Sequence, residues 1–313
     1  MSKISIIGAG QVGAATAVRL VDMELVDDIT LFDVVEDMPQ GKALDIAQST
    51  PVIQKQVKIV GTNDYKDIAN SDIVVVTAGF PRKPGMDRLD LLAKTIEINK
   101  SVSQNILKYA PNTIVLYVAN PLDLMTYVCH KLTKFPASRV FGMAGVLDTT
   151  RFRTFVAMET GYTIRDVQAQ VMGGHGDAMV PLVRYCSVAG VPLTELLPQA
   201  KIDAIVDRTK KGGGEIVKLL KSGSAYYAPG AAVAQMCQAI IRDEKRILPV
   251  CVQLNGEYGF KGPFVGVPVV LGRKGVERVL QLQLNDGEKA LLAKSVADLQ
   301  VQLDEIEKGK MYQ

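Results

Sequence analysis

At 313 residues, with 48% hydrophobic and 22% charged side chains, the chain can bury a large core and is long enough for two domains. Its net charge of +3 is interspersed rather than gathered into a basic stripe, and aromatics make up only 6%, which excludes the usual signature of nucleic-acid binding. No apolar run approaches the roughly 20 residues of a membrane span, and the N-terminus enters a strand pattern at once instead of an export signal, so a cytoplasmic location is expected.

The chain opens with Lys3-Ile4-Ser5-Ile6-Ile7, a short apolar strand pattern, and runs into Gly8-Ala9-Gly10-Gln11-Val12-Gly13 and the helical stretch Ala14-Ala15-Thr16-Ala17-Val18. In a strand, glycine turn and helix of this spacing, Gly8 permits the tight turn, Gly10 lets backbone approach a pyrophosphate, and Gly13 allows close helix–strand packing. A second strand, Asp28-Ile29-Thr30-Leu31-Phe32, leads into Asp33, twenty residues after Gly13 and suited to accept hydrogen bonds from an adenosine ribose. A 2′-phosphate would meet that carboxylate, and Val34-Val35-Glu36-Asp37 offers no arginine to offset it. NAD is therefore expected over NADP.

Strand and helix signals keep alternating: Val57 to Val60, Ile73 to Val76 and Thr113 to Tyr117 read as buried strands, with a helix from about Leu89 to Tyr109. Such alternation implies a parallel, doubly wound sheet, whose ligands bind beyond the carboxyl ends of its strands. Thr77-Ala78-Gly79-Phe80 and Val118-Ala119-Asn120-Pro121 occupy those ends, although Asn120-Pro121 also reads as a simple turn into a helix. The segment from Ala78 to Arg88 holds Pro81, Arg82, Pro84, Gly85 and Arg88 between a strand and a long helix, and reads as a lid.

Past Val140-Phe141-Gly142 the rhythm changes, and the domain boundary is placed between residues 143 and 144. The spacing predicts helices over about Asp148–Glu159, Ile202–Leu220, Ala225–Arg242 and Glu288–Glu307, and a strand over Val167–Met172. Gly212-Gly213-Gly214 interrupts the second of these helices, where each glycine costs about 1 kcal/mol relative to alanine, so close packing, a subunit contact or a kink is expected there.

His175, one of only two histidines, sits in Gly173-Gly174-His175-Gly176-Asp177 and is the first candidate for handling a proton. Asp148 and Arg151, in Asp148-Thr149-Thr150-Arg151, with Arg82 and Arg88, supply the carboxylate and guanidiniums needed to oxidise a hydroxy-acid anion. Cys129, Cys186, Cys237 and Cys251 are widely spaced and form no CxxC, so they read as reduced small hydrophobes; no cluster has metal-ligand spacing.

Together these segments resemble the lactate/malate dehydrogenase family, and within it the bacterial lactate-dehydrogenase-like malate dehydrogenases, over nearly the full length. The resemblance implies a Rossmann-type α/β domain over residues 1–143 followed by an α+β substrate domain over residues 144–313. It also implies NAD-dependent oxidation of (S)-malate to oxaloacetate, a step of the tricarboxylic acid cycle. Gly8, Ala9, Gly10, Gln11, Val12, Gly13, Asp33, Val118, Ala119 and Asn120 would bind the cofactor; Thr95, where the family usually has an asparagine, is a further candidate. His175 would be the general acid/base and Asp148 its partner; Arg151 would bind the C1 carboxylate, Arg88 the C2 oxygen, Arg82 the second carboxylate, and Asn120 the substrate near the nicotinamide. The expected partners are a dicarboxylate and further copies of the chain in a homodimer or homotetramer. Lactate or another 2-hydroxy acid as substrate, a non-catalytic NAD-binding regulator and a structural protein with an inherited fold are the other readings.

Overall fold

A computed structural model describes residues 2–80, 88–309 and 311–312, and of residues 88 and 89 the backbone only. The first half alternates strand and helix: β1 (Lys3–Ile7), α1 (Gln11–Asp22), β2 (Asp28–Phe32), α2 (Met38–Ile53), β3 (Lys58–Thr62), β4 (Ile73–Val76), α3 (Arg88–Tyr109), β5 (Ile114–Tyr117), α4 (Leu122–Thr133) and β6 (Val140–Gly142). The second half holds α5 (Gly145–Thr160), β7 (Val167–Gln168), β8 (Val171–Gly173), β9 (Met179–Pro181), β10 (Ser187–Val188), β11 (Val191–Pro192), α6 (Leu193–Leu196), α7 (Gln199–Leu220) and α8 (Tyr227–Ile241). It ends with β12 (Arg246–Asn255), β13 (Lys261–Gly272), β14 (Gly275–Val279) and α9 (Asp286–Lys308).

The six early strands form a parallel sheet in the order β3-β2-β1-β4-β5-β6. β4 shows why its sequence, Ile-Val-Val-Val, is apolar throughout. Ile73 and Val75 join the core that includes Leu20 and Val21 of α1 and Val233 and Met236 of α8. Val74 and Val76 point the other way, into the core with Ile96 and Val102 of α3 and Met125 and Val128 of α4. A strand covered on both faces must be apolar at every position, whereas one with a wet face alternates. The order of strands reverses between β1 and β4, and the carboxyl ends of those two strands form the crevice in which such sheets bind ligands.

The sheet does not stop at residue 143. β6 is followed laterally by the antiparallel strands β12, β13, β8 and β9, so both halves share one sheet, and α5 and α7 build a third core around Phe152, Val156 and Ile205. Two expectations need correction. The strand expected over residues 167–172 is two strands, because β7 pairs with β10 in a small separate sheet while β8 joins the main one. The three glycines do not interrupt α7, which runs through them without a break.

Candidate active site

The glycine loop follows β1 directly. Gly8 has φ +107°, and a Cβ there would stand 2.6 Å from Thr77 Oγ1, so both the turn and the neighbouring strand end exclude a side chain. A Cβ on Gly13 would overlap the Gly8 carbonyl oxygen at 1.9 Å, which lets α1 start hard against the loop. A Cβ on Gly10, the residue before α1, would meet nothing within 4 Å, and neither a side-chain cap nor an acidic residue occupies the first turn of the helix. A helix start has N–H groups without intrahelical partners and a positive dipole end, and with no cap, no acid and room for a close approach at Gly10 it fits a pyrophosphate. Asp33, at the end of β2, accepts the Ala9 N–H at 2.7 Å through Oδ2 and the Val35 N–H at 3.1 Å through Oδ1. These residues fit a dinucleotide with a free 2′-hydroxyl.

The catalytic candidates converge from the second half. Asp148 and Arg151 lie one turn apart near the start of α5, and His175 sits in the tight connection between β8 and β9. Asp148 is buried, and its two oxygens serve two partners: Oδ2 lies 2.9 Å from His175 Nδ1, and Oδ1 accepts from Arg151 Nη1 at 3.1 Å. His175 keeps 17% of its side chain exposed and Arg151 13%. Burial pushes the imidazole's pKa down, but the Asp148 charge and hydrogen bond, with the Asp123 charge, outweigh it against Arg151, and the group lies above the usual histidine value. Arg151 Nε is buried without a hydrogen-bond partner.

His175 opens onto a cavity of about 960 Å³ that also touches Phe80, Asn120, Asp123, Lys210 and Ser295. Asn120 stands beyond β5, joined to Pro121 by a cis peptide, and the Val118 and Ala119 N–H groups donate to the Val76 carbonyl. Thr95 is not brought to this site by its side chain: it is fully buried on α3, and its hydroxyl donates back to the Leu91 carbonyl at 2.8 Å. Arg82 lies outside the described residues, and so does the side chain of Arg88, which begins α3.

Two anchors of the histidine turn were not among the sequence candidates. Asp123 Oδ2 accepts the His175 N–H at 2.9 Å, and Ser295 Oγ on α9 accepts the Gly174 N–H at 2.8 Å. The signal for Asp123 was present, as a carboxylate in the first turn of the otherwise apolar start of α4. The four cysteines are free and buried, and burial pushes the Cys129, Cys186 and Cys237 thiols up to about 12, which leaves them poor nucleophiles. Among the described residues no cluster of His, Cys, Asp or Glu is set to hold a metal ion, and no helix is long and apolar enough to cross a membrane.

This geometry has close counterparts. Residues 2–142 match the lactate/malate dehydrogenase NAD binding domain, and residues 145–310 the lactate/malate dehydrogenase alpha/beta C-terminal domain. The malate dehydrogenase of Chlorobium limicola is 53% identical over 295 residues, covering 94% of this chain and 95% of its own. Among solved structures, the malate dehydrogenase of Picrophilus torridus superposes with a TM-score of 0.95 at 44% identity, over 98% of each chain. The lactate dehydrogenase of Cryptosporidium parvum, solved with lactic acid and NAD, does so with a TM-score of 0.94 at 42% identity, again over 98% of each chain. With a glycine loop at one strand end, a carboxylate-held histidine in a cavity that reaches Asn120 and matches across both halves, the chain belongs to the lactate/malate dehydrogenase family.

Proposed function

We propose that the chain is an NAD-dependent malate dehydrogenase interconverting (S)-malate and oxaloacetate, with residues 1–143 carrying the cofactor and residues 144–313 most of the substrate site. The observation that carries this reading is the Asp148 carboxylate shared between His175 and Arg151 beside a cavity that reaches Asn120. Gly8 to Gly13, Asp33 and the backbone of residues 118–120 would hold NAD, which when bound supplies the hydride acceptor.

The chain's own groups divide the remaining work. Asp148 accepts Nδ1–H of the imidazole, leaving Nε2 to take the C2 hydroxyl proton of malate and to return it to oxaloacetate. The raised imidazole pKa favours the protonated ring, the form that can donate to oxaloacetate. Arg151 spends one Nη on Asp148 and keeps other donors for a carboxylate, whose arrival would satisfy a buried guanidinium that otherwise lacks a partner at Nε. Asn120 would hydrogen-bond the substrate, Arg88 would polarise the C2 oxygen, and Arg82 would pair with the second carboxylate.

A homodimer or homotetramer belongs to this reading as what the resemblance to the family implies. Light scattering on the purified protein tests it. For activity, the test is NADH oxidation with oxaloacetate, pyruvate and other 2-oxo acids side by side. Oxaloacetate should lead by at least about 10³ in kcat/KM over pyruvate, the scale set by sites that demand a polar partner. A lead for pyruvate would make the chain an L-lactate dehydrogenase, the reading that the likeness to the Cryptosporidium parvum enzyme favours. No oxidation with any 2-oxo acid would favour a non-catalytic NAD-binding regulator, and no cofactor binding either would leave a structural protein with an inherited fold.

A further inference from the structure

Asp123 is a buried carboxylate that the chemistry above does not use. It stands in the first turn of α4, three residues after Asn120, and is 5% exposed. Oδ2 accepts the His175 N–H at 2.9 Å, while Oδ1 has no hydrogen-bond partner. Burying a carboxylate is costly even with the His175 amide and the Cys251 thiol beside it. Tethering the histidine turn does not require that cost, because one residue earlier the uncharged Ser295 hydroxyl accepts the Gly174 N–H equally well, at 2.8 Å. A carboxylate rather than a hydroxyl at this place is therefore what needs explaining, and the His175 imidazole, whose backbone N–H it holds, is a group that its charge would act on.

The charged and titratable groups around His175 are few. Asp148 and Arg151 face it from α5 and Asp123 from α4; Cys251 of β12 abuts Asp123. Lys210 of α7, Lys294 and Asp298 of α9, and Asp177 of the histidine turn itself line the same cavity. We propose that Asp123 is a positioning residue, ionised in the working enzyme, that ties the His175 turn to the start of α4, just after Asn120, and whose charge sustains the imidazolium alongside Asp148. The proposal rests on His175 being the proton-transfer group. Burial drives the Asp123 carboxyl up from its ordinary value, and the neighbouring Cys251 thiol, the His175 amide and the imidazole draw it part of the way back. The positive end of α4 adds to that pull.

The chain contains only two histidines, so two imidazole signals are expected in a histidine-labelled NMR titration of the full protein, with His130 as an internal control. Asp123→Asn keeps an oxygen to accept the His175 N–H and removes the charge. The expected result is a His175 midpoint lowered by about one pH unit, the lower end of what a nearby opposite charge contributes. The pH at which oxaloacetate reduction falls away should drop in parallel, with His130 and NADH affinity unchanged. An unmoved His175 midpoint in Asp123→Asn, or in Asp123→Ser if the first variant does not fold, would overturn the proposal even if turnover fell. The NMR readout does not depend on turnover, so it separates this idea from the role of His175 itself. In the unsubstituted protein, carbon-labelled aspartate gives a further check: an ionised Asp123 at pH 7 supports the proposal and a protonated one overturns it.

Discussion

A Cβ placed on Gly212 would stand 3.2 Å from Arg151 Cδ, so α7 presents bare backbone where the α5 guanidinium has to lie. The neighbouring Gly213 would bring a Cβ to 3.4 Å from Arg151 Nη2. Packing against Arg151 accounts for glycines that cost the helix about 1 kcal/mol each. Gly212→Ala should therefore leave the melting temperature unchanged or raised while increasing KM for oxaloacetate several-fold, because the arginine must shift by a few tenths of an ångström. Gly212→Val should raise KM further and, with a branched side chain forced against Arg151 and Phe155, lower the melting temperature. Steady-state kinetics beside a thermal melt decide the matter: an unchanged KM in both variants would sever the glycines from substrate binding.

His175→Asn removes the only imidazole in the cavity among the described residues and keeps a polar side chain of similar reach. Loss of a general acid/base costs about 10²–10⁴ in rate. Turnover should fall by that factor, while NADH binding, measured by fluorescence titration, stays intact. Turnover near normal would take His175 out of the chemistry.

Asp148→Asn tests the electrostatics of the pair. After burial, which lowers the imidazole's pKa, the Asp148 charge is the largest influence on it and acts in the opposite direction. Removing the charge should lower the pKa. Oxaloacetate reduction, which needs the imidazolium, would then fade at lower pH than before, and malate oxidation, which needs the neutral ring, would persist further into the acid range. Stability follows the same linkage: the contribution from a raised histidine is complete below the unfolded-state pKa and is lost as pH rises through the folded value, so the variant should lose stability mainly on the acidic side of that window. A pH–rate profile identical to that of the unsubstituted protein would reduce Asp148 to a helix-start residue.

The parallel half was legible because each of its signals is local. Ile73 to Val76 reads as a strand from four consecutive β-branched residues, and the turn from Gly8 to Gly13 follows from spacing alone. What escaped sequence reading depends on distant partners. β12 and β13 carry Pro249 and Pro268 directly opposite one another, and proline in a run of apolar residues argues against a strand until a partner without need of those donors is in view. Asp123 looks like an ordinary acid at a helix start, and only the folded chain shows its oxygen on an amide 52 residues away. Thr95 illustrates the opposite case: a hydroxyl at a suggestive position in the chain is spent on its own helix.

Asp33 both faces the expected ribose position and holds the glycine loop through the Ala9 N–H. Lys42 is nearby, but its ammonium is engaged with the Ala9 carbonyl at 2.7 Å. The unsubstituted enzyme should prefer NAD over NADP at least tenfold in kcat/KM, about 1.4 kcal/mol. Asp33→Ser should narrow that ratio and also weaken NADH binding, since the loop loses a charged anchor. Equal use of NADP by the unsubstituted protein would refute the assignment.

The choice between a dicarboxylate and a monocarboxylate needs a second cation, because Arg151, already shared with Asp148, can serve one carboxylate. Arg82 and the cavity lysines Lys210 and Lys294 are the candidates. Arg82 lies outside the described residues and is proposed from the resemblance, whereas Lys210 lines the cavity itself. A guanidinium gives a carboxylate two parallel donors, while an ammonium gives a point charge on a flexible stem, so the arginine is the better source of strict discrimination. If pyruvate entered a closed site containing Arg82, the guanidinium would be left unpaired, at a cost of several kcal/mol. Arg82→Gln should therefore cut oxaloacetate kcat/KM by at least about 10² and raise that for pyruvate, whereas Lys210→Gln should change the ratio of the two substrates by less than about threefold, as expected when only a solvated charge is removed. Should Lys210→Gln collapse the ratio and Arg82→Gln depress both substrates equally, the second carboxylate would belong to α7, and the discrimination would lie on the same helix whose glycines make room for Arg151.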